Sequence, residues 1–252
     1  MRFLALVLAL APLSAIAADV ALVAAAADLS FAMREIADSF RRETGREVKL
    51  SFGSSGNFRH QIAAGAPFQL FMSADESYVL ALHRERRTLD EGRLYAVGRI
   101  VLFVPKGAPL APDPELKDLR RALAAGAVRR FAIANPEHAP YGRAAREALQ
   151  KLGLWETLKD RLVLGENVSQ AAQFASSGSA QGGIIALSLA LSPEVSVLGR
   201  HCVLPAELHA PLRQRMALLR GAGETARELY GYLQQAGARA VLKRYGFVLP
   251  GE

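Results

Sequence analysis

Twice over, this chain alternates short apolar stretches with longer stretches of helical period, and that alternation limits the fold more than any other feature of the sequence. In the first run, residues 20–26, 47–52 and 69–72 are strand-like. Residues 31–43 and 58–64 are helical, and a third helix, capped by residues 73–75, runs to about residue 84. Phe31, Ile36, Ala37 and Phe40 mark the buried face of the first helix, and Gly45 ends it. Residues 99–104 are almost wholly apolar, as in a strand covered on both faces. After a proline-rich loop at 109–114, the second run predicts helices at 116–125, 143–152 and 166–175, with strands at 131–134, 161–164 and 182–187. A strand at 212–219 and helices at 223–235 and 238–245 close the chain. Strands joined by helical crossovers form a mainly parallel sheet flanked by helices, so the fold class is α/β. Two runs of similar length predict two lobes with a cleft between them. Lobe 1 is expected over residues 18–98 plus 208–252 and lobe 2 over 99–207, joined by a direct strand crossing near residues 97–104.

The chain opens with Arg2, an apolar run over residues 3–13 and the small-x-small triplet Ala15-Ile16-Ala17. That pattern predicts a secretory signal over residues 1–17 with cleavage before Ala18. The apolar run is too short to span a bilayer, and no cysteine follows the cut to carry a lipid. An exported, soluble protein is expected. Cys202 is the only cysteine, so no internal disulfide can form. A net charge of +7 favours anionic partners. Aromatic residues make up only 7% and no basic run is interleaved with them, which argues against nucleic acid.

Catalytic motifs are sparse. His60, His83, His138, His201 and His209 show no metal-binding spacing, and no metal-cation site is expected. There is no G-x-S-x-G elbow, no phosphate-loop lysine motif and no G-x-G-x-x-G after a strand. A secreted serine hydrolase, with Ser54 or Ser55 as nucleophile and His138 as base, stays open as an alternative, although no companion carboxylate stands out. A binding site gathers more support. Residues 52–57, Phe-Gly-Ser-Ser-Gly-Asn, join a strand to a helix through glycines and serines. Unpaired N–H groups and the helix dipole make such a turn a cradle for an anion. Residues 26–30, 140–142 and 167–169 repeat the form: strand end, small or polar residues, helix start. In an open parallel sheet these loops gather beyond the carboxyl ends of the strands. Two lie in each lobe, so a small anion could be held from both sides by neutral donors.

Several segments together resemble the periplasmic molybdate-binding proteins of ABC transporters. They are Ala25-Ala26-Ala27-Asp28-Leu29, Phe52-Gly53-Ser54-Ser55-Gly56, the runs 61–67 and 70–75, residues 135–142, residues 147–153 and Lys243-Arg244-Tyr245-Gly246-Phe247. The resemblance spans nearly the whole mature chain. It implies a two-lobed type II periplasmic-binding-protein fold, binding of molybdate or tungstate in the cleft, delivery to a membrane permease, no enzymatic activity, no cofactor and a monomer. A receptor of the same fold for sulfate or phosphate is the other reading. The family's ligand contacts fall on Ala27, Asp28 and Ser55 in lobe 1, and on the backbone N–H groups of Tyr141 and Val168 in lobe 2. Two departures stand out. Many members carry serine, and another branch asparagine, where this chain has Asp28. A carboxylate facing a dianion repels it. Asp28 is therefore expected to cap the helix of residues 29–43 and offer only its N–H; the alternative is that it accepts a proton from a protonated ligand. Many members also place a tyrosine hydroxyl at the position of Ala186, and Tyr141 is expected to close the site instead.

Overall fold

The structure, a computed structural model, describes residues 20–251, so the signal expected over residues 1–17 lies outside the described residues. The first run comprises β1 (Ala21–Ala26), α1 (Ser30–Thr44), β2 (Val48–Gly53), α2 (Ser55–Ala63), β3 (Leu70–Ser73), α3 (Glu76–Arg84) and β4 (Arg93–Gly98). The second comprises β5 (Ile100–Pro105), α4 (Lys117–Ala124), β6 (Phe131–Ala134), α5 (Pro140–Lys151), α6 (Trp155–Leu158), β7 (Leu162–Gly165), α7 (Val168–Ser176), β8 (Gly183–Ala186), α8 (Leu187–Ala190), α9 (Pro193–Ser196) and β9 (Gly199–Val203). The chain then returns through β10 (Leu212–Leu218), α10 (Glu224–Tyr232) and α11 (Ala236–Arg244).

Two five-stranded sheets result, in the orders β2-β1-β3-β10-β4 and β7-β6-β8-β5-β9. The two share one plan. In the first, β1 pairs in parallel with β2 and β3, and β10 runs antiparallel to β3 and β4. In the second, β6 pairs in parallel with β7 and β8, and β5 runs antiparallel to β8 and β9. Each sheet is thus mixed, with one reversed strand among strands of common direction. The reversed strand is the one that enters directly from the other sheet. Only Arg99 separates β4 from β5, so the chain leaves one sheet and enters the next without a helical crossover.

Side-chain alternation explains the layering. On β1, Val23 and Ala25 face Leu29, Met33, Ile36 and Phe40, while Ala24 faces Phe58, Phe71, Val79 and Leu82 on the opposite side. Helices cover both faces, so β1 carries no polar residue at all. The amphipathic α1 stops where Gly45 adopts φ 72°, a left-handed cap that a side chain would strain. Ala26, at the end of β1, and Ala27 and Ala74, just beyond β1 and β3, pack into the apolar core of the second. The two halves are therefore closed upon each other.

Two strands were not among those the sequence predicts. β9 is an edge strand diluted by Arg200 and His201, whereas β4, also at an edge, is apolar after Arg93 but runs almost unbroken into β5, so the two read as one stretch.

Candidate functional site

Four loops meet where the two sheets face each other. The first follows β1, the second joins β2 to α2, the third precedes α5 and the fourth precedes α7. They line one small cavity with about 190 Å³ of atom-free space, formed by Ala26, Ala27, Asp28, Gly53, Ser54, Ser55, Ala74, Ala139, Pro140, Tyr141, Asn167 and Val168. All five residues singled out by the resemblance, Ala27, Asp28, Ser55, Tyr141 and Val168, are in that lining, and all are buried. Ala74, just after β3, joins them; the sequence marked it only within a helix cap and a resemblance run, not as a site residue.

The local sequence decides which groups are left over to meet a ligand. The first N–H groups of a helix have no acceptor in a preceding turn. In α2, Ser54 Oγ accepts the N–H of Asn57, and the N–H of Gly56 donates to His138 O at 3.0 Å. In α7, Asn167 Oδ1 accepts the N–H groups of Ser169 and Gln170 at 3.0 and 3.1 Å. α5 begins with Pro140, which has no N–H. Capping therefore leaves the N–H groups of Ser55, Tyr141 and Val168 facing the cleft end of their helices. Ser55 Oγ accepts the N–H of Ala74 at 2.9 Å, which fixes the oxygen and leaves the hydroxyl proton to be donated. Every one of these donors is neutral. Such a set binds an anion through hydrogen bonds and helix dipoles without a salt bridge.

Asp28 does not cap a helix. Neither the short turn over Ala27–Leu29 nor α1 has a side-chain cap bond, which corrects the capping expectation. Instead Asp28 Oδ2 accepts from Gln214 Nε2 at 2.6 Å and from the Tyr141 hydroxyl at 2.9 Å. Tyr95 donates to Gln214 Oε1 at 2.7 Å and so orients the amide. The reason is access: Asp28 lies beneath the closed cleft, where Tyr141 and Gln214 reach it. Burial pushes the Asp28 carboxyl from 3.8 up to about 6, and the bonds from Gln214 and Tyr141 only partly offset that rise. Gly98 makes the arrangement possible, because a Cβ there would lie 2.2 Å from the Tyr141 hydroxyl oxygen. The Tyr141 hydroxyl, expected to close the site, donates to Asp28.

Several bonds cross from one half to the other. Ser169 Oγ donates to Ala27 O at 2.8 Å, and Ser188 Oγ donates to Asp28 O at 2.7 Å. Arg143 pairs with Asp75, donates to the Tyr78 hydroxyl at 2.9 Å and lies over the Tyr78 ring. A Cβ on Gly56 would meet His138 O at 2.5 Å, so this crossing needs glycine. His138 Nδ1 lies 3.0 Å from Ser54 Oγ, with Glu166 Oε2 3.6 Å from its other nitrogen. Ser54 is at the same time the cap of α2, and Glu166 is exposed, so the trio acts as a contact between the halves. Ser55, the other serine of the hydrolase alternative, accepts the N–H of Ala74.

Comparison with known proteins agrees with this geometry. Residues 21–248 match the family model of bacterial extracellular solute-binding proteins. The chain belongs to that family. It is 38% identical to the molybdate-binding protein ModA of Rhodobacter capsulatus, over 97% of this chain and 94% of the relative. It is 37% identical to that of Azotobacter vinelandii, over 90% and 89%. Among solved structures, it is similar to the periplasmic molybdate-binding protein of Azotobacter vinelandii, with a TM-score of 0.82 and 32% identity over 91% of this chain and 99% of that one. This solute-binding protein thus has the two-lobed periplasmic-binding-protein fold, and its relatives are named for binding rather than for catalysis.

Sequence reading missed the residues that hold Asp28: Gln214, Tyr95 and Ser188. A signal for Gln214 existed. Along β10, Leu212, Gln214 and Met216 are buried while Arg213 and Arg215 are not, so a polar side chain occupies a core position. The pairing of β10 with β4 shifts register between Gln214 and Arg215, a bulge of the kind that re-aims a side chain.

Proposed function

We propose that this protein captures molybdate, or the similarly sized and charged tungstate, outside the cytoplasm and hands it to the membrane permease of an ABC transporter. The observation that carries the proposal is the cleft's donor set, neutral and drawn from both lobes, in a chain 34–38% identical to three molybdate-binding proteins over at least 90% of its length. Ser55 donates its hydroxyl to the anion; Ala27, Tyr141 and Val168 offer backbone N–H groups; Asp28 stands behind them. Binding draws the lobes together, because only the closed state lets both walls meet one ion. The periplasm is the site of action, reached through the signal over residues 1–17. The working unit is a monomer of two lobes, residues 18–98 plus 208–252 and residues 99–207, with the oxyanion as cargo and no cofactor.

Calorimetric titration of the mature protein with molybdate, tungstate, sulfate and phosphate tests the reading. Tight binding of molybdate and tungstate, with weak or no binding of the other two, is expected. Tight binding of sulfate or phosphate with none of molybdate overturns it.

A further inference from the structure

Asp28 presents a chemical problem that its known neighbours do not solve. It lines the cavity and is only 1% exposed. One carboxyl oxygen, Oδ2, takes both hydrogen bonds, from Gln214 and Tyr141. The other, Oδ1, is buried with no hydrogen-bond partner among the described residues. The groups that meet Asp28 are Tyr141 of α5, Gln214 of β10 with Tyr95 of β4 behind it, Ser188 of α8 on its backbone carbonyl, and its own backbone N–H, which lowers the carboxyl less than Gln214 or Tyr141 does. None of them is a cation. Tyr95 and Tyr141 are both held well above the ordinary phenol range, by burial first and by Asp28 second, so they remain neutral donors. A buried carboxylate with an orphaned oxygen is costly, and an anion placed in the same cavity adds repulsion.

One proton removes both costs. Placed on Oδ1, it neutralises the carboxyl, leaves Oδ2 as the acceptor for Gln214 and Tyr141, and turns the orphaned oxygen into a donor. We propose that Asp28 is a specificity-determining residue that takes up one proton on Oδ1 when the cleft closes on an unprotonated oxyanion, and donates it as a hydrogen bond to that ion. This rests on the reading of the cleft as the oxyanion site. The rise of the carboxyl to about 6, caused chiefly by burial, points the same way, and a dianion beside it raises it further.

The sign follows from linkage. Opening the cleft would hydrate Asp28 and remove the burial that raises its carboxyl. Closed, its pKa is raised, so closure binds a proton in the window between the two values. Within that window affinity falls by about tenfold for each unit of rising pH. Specificity follows as well. A protonated Asp28 donates to an ion with no proton of its own. A hydrogen phosphate-like ion brings its proton with it and meets an ionised Asp28, with no uptake from solvent.

The test is calorimetry of the full mature protein with sodium molybdate, between about pH 4.5 and about pH 7, in buffers of different ionisation enthalpy. Uptake should approach one proton per ion at about pH 5, with the tenfold-per-unit slope in affinity, and both should fade above the upper edge of the window. In Asp28→Asn both the uptake and the slope should vanish. Infrared difference spectra of the wild type should show a protonated-carboxyl C=O band on molybdate binding, a readout that survives even where the variant folds poorly. Molybdate heats that are the same in all buffers, with a flat pH profile and no such band, overturn the proposal. So does phosphate binding accompanied by the same proton uptake as molybdate binding. Failure of the wild type to bind molybdate at any of these pH values is a different result, and it overturns the functional reading beneath.

Discussion

The two walls of the cleft are built from the same strand–turn–helix unit, yet they offer different chemistry. The first wall presents side chains: the Ser55 hydroxyl, fixed by Ala74, and the Asp28 carboxyl, fixed by Gln214. The second presents backbone: N–H groups at the starts of α5 and α7, set by Pro140 at one and by the Asn167 cap at the other. Its one long side chain, Tyr141, reaches across to Asp28 rather than standing free. A wall made of backbone donors tolerates side-chain change, because the groups it offers belong to every residue except proline. A wall made of side chains is sensitive at each position. The contrast gives four experiments.

The largest effect is expected on the first wall. Ser55→Ala removes a hydroxyl donor to a charged ligand, a bond worth roughly 1.5–3 kcal/mol, so calorimetry should show molybdate affinity falling about tenfold to a hundredfold. The substitution also strips the buried N–H of Ala74 of its acceptor. Urea unfolding of the ligand-free protein should accordingly show a loss of about 1–3 kcal/mol.

On the second wall the sensitive change is a proline. Val168 is the first residue of α7, a position where proline fits a helix and removes only an N–H that the helix does not use. Val168→Pro should weaken molybdate by about tenfold or more, whereas Val168→Ala, which keeps the N–H, should leave affinity nearly unchanged. Equal losses from both would show that the side chain, not the backbone, meets the anion.

Asn167→Ala comes next. It removes the cap shared by the N–H groups of Ser169 and Gln170. Stability in urea should drop by about 0.5–2 kcal/mol, and binding should weaken through a frayed α7. Circular dichroism that reports a normal melting curve with intact affinity would separate the cap from the site.

The smallest effect is expected outside the cavity. Arg143 and Asp75 join the two halves, with side chains 31% and 26% exposed. Partial exposure screens the pair, so Arg143→Ala should cost about 0–1 kcal/mol of closure and lower affinity less than about fivefold. A much larger loss in calorimetry would mean that this pair, rather than the cavity donors, holds the lobes together.

Much of this protein was legible in the sequence because its cause is local. Alternation of Val23, Ala24 and Ala25 between two buried faces needs only the strand period, and the apolar spacing of α1 needs only the helix period. The glycine-serine turn before α2 and the asparagine before α7 are caps, which act within three residues. These local signals placed the four loops on strand ends, and the two-run order brought them together. The edge strand β9 escaped because its polar residues dilute the pattern, and β4 because only Arg99 separates it from the apolar β5.

What the tertiary structure alone decided is the role of Asp28. From the sequence, an aspartate ahead of a helix is a cap, since that bond is the one its nearest neighbours provide. In the fold, Gln214 arrives from a strand 186 residues later and Tyr141 from the opposite wall, 113 residues away. Both reach it only because Gly98 leaves room for them. Hydrogen bonds between residues so far apart have no periodicity and no fixed spacing, so nothing in the linear chain announces them. Burial, which raises the carboxyl and leaves Oδ1 unpaired, is likewise a property of the closed pair of lobes and not of the segment in which Asp28 stands.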